Sequence, residues 1–196
     1  MDNITTVYNQ YILDLHEALQ GLDRAPLEAA AALLAKAYGT DTTVFVAGNG
    51  GSAATASHMA ADFCKTILGK KPTEVEKRLR TVALSDNVAL ISAYGNDVSY
   101  DSIFGEQLLT LGRAGDLLIV ISASGNSPNV IYALEAAKKA GITTIGLLGF
   151  GGGKAAGMVD VSIVVPSSDY GVVEDGHAIL MHALTQQLKS VVLSAA

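Results

Sequence analysis

Cysteine is nearly missing from this 196-residue chain, with Cys64 the single example. No internal disulfide framework can form, and a reduced, cytoplasmic setting is expected. Charge is sparse as well, at 16% of residues, and basic charge is the scarcer kind: 13 Lys and Arg stand against 19 Asp and Glu. The formal net charge of -6 argues against a nucleic-acid partner, because phosphate backbones are held by basic surface. Long apolar runs are missing too. Hydrophobic residues reach 49%, yet Gly, Ser, Asn and Asp break them into short segments. None approaches the ~18 uncharged residues of a membrane span. The opening MDNITTVYNQ is polar and acidic, unlike a signal peptide. Neither GxxxxGK[ST] nor GxGxxG occurs, which sets aside a P-loop NTPase and a dinucleotide enzyme.

What remains is a hydrophobic chain with no span, and such a chain is expected to hide surface in an oligomer. Two amphipathic helices are predicted first, at about 4–20 and 26–38. In the first, Ile4, Val7, Tyr8, Tyr11, Leu15, Ala18 and Leu19 recur at helical spacing. Pro26 suits the first turn of the second. Strands are predicted at 43–47, 81–84, 116–122, 142–148 and 161–165. Helices are predicted at 53–68, 87–94, 128–140 and 173–193. The strands are continuously apolar rather than alternating, so both sheet faces should be covered. Strand and helix in alternation imply one parallel sheet between helical layers. The charged segment 70–80 reads as a solvated loop or short helix. Cys64 reads as a buried helix residue.

Two loops follow predicted strands, at the carboxyl ends where open α/β sheets bind ligands. The first is Gly48-Asn49-Gly50-Gly51-Ser52. Its glycines let backbone approach an anion, and the next helix offers free N–H groups. The second is Ser122-Ala123-Ser124-Gly125-Asn126-Ser127, whose hydroxyls can donate to phosphate oxygens. Either loop alone could be a helix cap and a turn. Two on one sheet, both carrying hydroxyls and neither carrying Lys, point to a monophosphate held by neutral donors.

Histidine is grouped. His58 and Asp62 lie four apart after the first loop, on one helical face, a workable pair for a metal or for proton transfer. Glu174, Asp175, His177 and His182 surround the start of the last helix.

The blocks AGNGGSAATASH and ISASGNSPNV resemble the paired signatures of the sugar isomerase (SIS) phosphosugar isomerases. SDNVALISAYGND resembles a third block of the sedoheptulose 7-phosphate isomerases, and GDLLIVIS resembles the strand before their serine loop. The likeness runs in order over nearly the whole chain. It implies an α/β fold: a three-layer αβα sandwich with a parallel, flavodoxin-like sheet. Residues 1–196 would form one SIS domain, with 1–40 as an N-terminal helical extension. It implies an aldose–ketose isomerase acting on a sugar phosphate, sedoheptulose 7-phosphate first, through an enediol. Asn49, Ser52, Ser122, Ser124 and Ser127 would bind the phosphate. His58, Asp62, Glu174 and His182 would hold a divalent metal, zinc first. Asp62 would be the base and His182 the acid. The implied assembly is a homotetramer with active sites between subunits.

Three positions depart from the family pattern. Asp62 stands where relatives carry Glu, Glu174 where they carry Gln, and Thr55 where they often carry Asp. Glu174 and His182 are eight residues apart, or ~12 Å along one continuous helix. Either the last helix starts after Glu174, or a subunit interface completes the site. Two other readings stay open: an isomerase of another sugar phosphate, and a non-catalytic SIS module that senses a sugar phosphate or serves as a protein adaptor. Retention of His58, Asp62 and His182 favours an enzyme.

Overall fold

Each predicted apolar run becomes a parallel strand in the computed structural model, which describes residues 3–194. The strands are β1 (Thr43–Gly48), β2 (Arg80–Ala83), β3 (Leu117–Ser122), β4 (Thr143–Leu148) and β5 (Val161–Val164). They form one sheet in the order β2-β1-β3-β4-β5, paired in parallel throughout. That is the flavodoxin-like order. Alternate residues serve opposite faces. Val44, Val46, Leu117, Ile119 and Ile121 pack on one side, in a core shared with helices α2 (Ala25–Ala37), α3 (Gly51–Cys64) and α7 (Tyr170–Ser194). Phe45, Ala47, Leu118 and Val120 pack on the other, against α5 (Gly105–Leu111) and α6 (Pro128–Ala140). A fully buried Leu or Ile is worth about 1.5–3 kcal/mol. That gain on both faces is why the central strands carry no polar alternation.

Boundaries shift where local chemistry overrides periodicity. The helix predicted over 53–68 ends at Cys64, and a single 3₁₀ turn, Thr66–Leu68, follows before Gly69 reverses the chain at φ 72°. The last helix begins at Tyr170, because the Asp169 carboxylate accepts from the Val172 N–H at 3.0 Å and starts it early. The helix predicted at 87–94 extends to Asp97 as α4 (Val88–Asp97). The seven-residue α5 has no counterpart in the sequence reading, since it is too short to show a period. Segment 70–80 is mostly exposed, as expected of a solvated loop. Cys64 is exposed rather than buried, because it sits on the last turn of α3 beside the edge strand β2, where its thiol faces the Thr81 carbonyl.

The N-terminal helix α1 (Ile4–Gln20) exists as predicted, but its apolar stripe is only partly covered. Ala18 is buried and Tyr11 and Leu15 are half-buried. Ile4, Val7, Tyr8, Ile12 and Leu13 face solvent, Ile4 at 80% exposure. Its anchor is polar. The Tyr11 hydroxyl donates to Asp175 at 2.7 Å, which ties α1 to the first turns of α7. Burial first, then that bond and the charges of Asp175, Asp169 and Glu174, push the Tyr11 pKa up to about 12. The contribution is therefore fully present below about pH 10, the unfolded value, and is lost as pH rises through the folded one. Tyr11→Phe is expected to lower stability by about 1 kcal/mol at neutral pH, with the difference constant up to about pH 10. Urea titrations of both proteins across that range check it.

Candidate active site

Strands β1 and β3 are neighbours, but β1 leads next to β2 on one flank while β3 leads to β4 on the other. Their carboxyl ends open a crevice at this switch point. Both sequence-predicted loops border it. Asn49, Ser52, Ser122, Ser124 and Ser127 line one pocket of about 160 Å³, together with Tyr170 and Glu174. Ligand pockets commonly reach about 300–1,000 Å³. This one therefore suits an end group such as a phosphate, not a whole sugar phosphate.

The donors converge for local reasons. Gly50 takes φ 53°, which turns the chain into α3 and places buried Ser52 in its first turn. In the second loop the Ser122 hydroxyl accepts from the Gly125 N–H at 3.2 Å, and the Ser124 hydroxyl from the Asn126 N–H at 3.3 Å. Both hydroxyl protons stay free to donate outward. Ser127 starts α6 without spending its side chain on a cap. The Asn49 side chain is paired with that of Asn129. Thr55, a departure from the family pattern, points its hydroxyl back to the Gly51 carbonyl at 3.3 Å.

A third loop braces the second, and sequence reasoning assigned it no role. Residues 149–153 read GFGGG, a run of turn formers that was the available signal. The Gly149 N–H donates to Ala123 and the Ala155 N–H to Gly125, each at 3.0 Å. A Cβ on Gly125 would lie 2.0 Å from the Gly152 carbonyl oxygen, so only glycine permits this approach. Phe150 holds φ 51°, a strained value for a residue with a side chain, and its ring rests 4.6 Å from that of Tyr170 at the pocket wall.

Helices α3 and α7 pack side by side. Gly51 meets the Glu174 carboxylate at one end, where a Cβ would sit 2.8 Å from Oε2. Farther along, Asp62 meets His182. The two helices therefore run in the same direction. Asp62 is 9% exposed, and its Oδ1 accepts from the Thr66 hydroxyl at 2.7 Å. Its Oδ2 lies 3.8 Å from His58 Nε2 and 4.0 Å from His182 Nε2. The two imidazoles meet edge to face at 5.0 Å. Those N···O distances are too long for hydrogen bonds. One ligand atom from each of His58, Asp62 and His182 lies within 4.8 Å of the others. Around a tetrahedral zinc, ligand atoms sit about 3.4 Å apart, so a small inward shift would suffice. Two imidazoles and one carboxylate fit a divalent metal with an open position. Thr66 orients the carboxylate, a supporting role that sequence reading missed although it sits at i,i+4 from Asp62.

Glu174 is not part of this group. Helix α7 runs unbroken from Tyr170, so the option of a helix starting after Glu174 falls. The Glu174 carboxylate instead lines the serine pocket.

A doubly wound parallel sheet with two hydroxyl-lined loops at its switch point defines an α/β domain with a candidate anion pocket. The SIS domain family matches residues 7–149, and the chain belongs to that family, in its phosphoheptose isomerase branch. It is 41% identical over 161 residues to the phosphoheptose isomerase of Pelobacter propionicus, covering 82% of each chain. Its fold superposes on the phosphoheptose isomerase of Neisseria gonorrhoeae with a TM-score of 0.83 and 34% identity, over 95% of this chain and 97% of that one. The Francisella tularensis phosphoheptose isomerase gives a TM-score of 0.85 at 28% identity, over 95% and 96%.

His177 stands apart from its neighbours in sequence. It is 1% exposed, and neither ring nitrogen has a hydrogen-bond partner. Burial lowers its pKa, and the nearby Leu148 carbonyl, outside bonding geometry, opposes this only in part. The folded ring stays neutral while the unfolded one takes up a proton below about pH 6.5, so stability falls as pH drops through that window. His177→Met is expected to flatten this acid-side slope. Urea midpoints of wild type and variant at about pH 7.5 and about pH 5.5 measure it.

Proposed function

We propose that this chain isomerises sedoheptulose 7-phosphate to the corresponding aldose phosphate, with the phosphate in the serine pocket and proton transfer at Asp62 and His182. The observation that carries this reading is the spacing along α3 and α7. The Gly51–Glu174 contact and the Asp62–His182 contact bracket eight residues of α7, or ~12 Å. Six carbon–carbon bonds of about 1.5 Å plus a phosphoester arm span that order of length, and a triose phosphate does not.

Aldose–ketose isomerisation moves a proton between adjacent carbons through an enediol. The Ser52, Ser122, Ser124 and Ser127 hydroxyls and the first N–H groups of α3 and α6 hold the phosphate, and Asn49 shapes the first loop. Binding at that end orients the reacting carbons. Asp62 Oδ2 accepts the proton, with Oδ1 held by Thr66 so that only one oxygen faces the reacting end. His182 donates to the oxygen where charge develops. In the metal-bound state these side chains would serve as ligands in place of that acid–base pair: His58, Asp62 and His182 would hold the metal, zinc first. Bound there, the metal would polarise the carbonyl as a Lewis acid. Glu174 joins that set only where a second copy of the chain carries it there.

The oligomer belongs to the same reading. Ile4, Val7, Tyr8, Ile12 and Leu13 leave one apolar face of α1 uncovered. A homotetramer buries it and sets active sites between subunits, in the cytoplasm. Among the described residues no helix is long and apolar enough to cross a membrane. Light scattering at micromolar concentration is expected to give a tetramer, and a fully active monomer would rule out a shared site.

Turnover of five- to seven-carbon ketose phosphates, with and without a chelator, tests the function. The seven-carbon substrate is expected to be preferred, and chelation to reduce its rate. Asp62→Asn is expected to cost about 100-fold or more in turnover while phosphate affinity holds. Ser124→Ala removes a hydrogen bond to a charged acceptor, worth about 1.5–3 kcal/mol, and should weaken sugar-phosphate binding at least ~10-fold. A wild type that binds ligand without turnover would instead favour a sensing module.

A further inference from the structure

Asn129 sits in the first turn of α6, two residues beyond Ser127, and is 1% exposed. A buried carboxamide is costly unless its donors and acceptor are matched. Here the match is reciprocal. Asn129 Nδ2 donates to Asn49 Oδ1 at 2.9 Å, and Asn49 Nδ2 donates back to Asn129 Oδ1 at 2.8 Å. The Tyr100 hydroxyl adds a longer contact to Asn49 Oδ1, at 3.4 Å. Two antiparallel bonds between planar amides fix both distance and relative orientation, which a single bond does not.

The position of this pair matters more than its strength. Ladder pairing between β1 and β3 reaches Gly48 opposite Ile121. Beyond it the two chains diverge into the two phosphate loops. Asn49 is the first residue past that ladder, and Asn129 lies at the far end of the serine loop. Their bonds bridge the crevice where no backbone pairing does. The Gly125–Gly152 approach braces the serine loop against the GFGGG loop but does not touch the first loop.

We propose that Asn129 is a positioning residue: through its amide pair with Asn49 it sets the separation of the two phosphate loops. It acts on the substrate end group without touching it. The proposal rests on the phosphate-site reading above.

Asn129→Asp provides the test. The change is nearly isosteric, and an acid in the first turn of α6 is favoured by the helix dipole. Ionised, the new carboxylate still accepts from Asn49 Nδ2 but turns a lone pair toward Asn49 Oδ1. Protonated, its O–H donates to Oδ1 and the pair re-forms. Binding of inorganic phosphate to the whole chain is measured by calorimetry from about pH 8 down to about pH 4.5, for wild type and variant, with thermal midpoints alongside. The expected result is ~10- to 100-fold weaker binding at neutral pH, with the gap to wild type closing as pH falls. A merely structural role would leave the gap independent of pH, and that outcome overturns the proposal. Equal affinity at neutral pH in a folded variant overturns it too. Should Asn129→Asp not fold, the mirror change Asn49→Asp must show the same pH-closing gap, or the proposal fails. Wild-type binding that Ser124→Ala weakens and Asn129→Asp does not overturns this inference alone. Wild type that binds no phosphate overturns the phosphate site and this inference together.

Discussion

Strands β1 and β3 lie side by side, and their successors leave for opposite flanks of the sheet. Pairing between β1 and β3 stops at Gly48 and Ile121, so above that point the sheet no longer joins these two strands. The two loops that leave these strand ends must therefore be held by contacts other than the β1–β3 ladder. The structure meets this constraint three times: glycine backbone against glycine backbone at Gly125 and Gly152, an amide pair across the crevice, and the Phe150 ring against Tyr170. Strain at Phe150 is tolerated because each neighbouring contact over-determines the turn.

As the proposed phosphate site, the pocket so formed is electrically unusual. Its lining holds four serines, one Asn and residues at the starts of three helices, and among the described residues its only charged side chain is a carboxylate, Glu174. Neutral donors bind a phosphate through directed hydrogen bonds and the helix dipoles, with less contribution from net charge. Such a pocket depends on geometry more than a lysine-bearing one would. A small displacement of one loop removes several donors together, whereas a lysine can follow its anion. Gly125, Gly149 and Asn129 make the contacts that hold the loops carrying those serines.

Asp62 shows the same economy at the other end of α3. A buried carboxylate with only one satisfied oxygen would be costly. Thr66 satisfies Oδ1, and Oδ2 is left to two solvent-facing imidazoles. Asp is shorter than Glu by one methylene, which draws the acceptor closer to the helix. The exposed imidazoles and the bare face of α1 lie on surfaces that a single chain leaves open, and both are the parts a subunit interface would enclose.

Much of this was legible in the chain itself. Short, β-branched apolar runs such as LLIVIS, bounded by turn residues, read as strands covered on both faces, and their alternation with helices implies a parallel sheet. A Gly-rich and a Ser-rich loop paired at strand ends point to an anion site, because those residue types offer close backbone and free hydroxyls. His58 and Asp62 share a face by helical arithmetic. What the sequence could not carry was long-range contact. Nothing in a one-dimensional pattern brings Asn129 to Asn49 or Gly125 to Gly152, and the resemblance that joined His182 to Asp62 did not show that Glu174 stays ~12 Å away along α7. The same holds for Cys64 and the exposed half of α1, where periodicity predicts an apolar face and says nothing of whether that face is covered. Periodicity and composition act within a few residues of chain, so they determine elements and loop chemistry. The register between elements is set by packing of the whole core, and only the tertiary structure decides it.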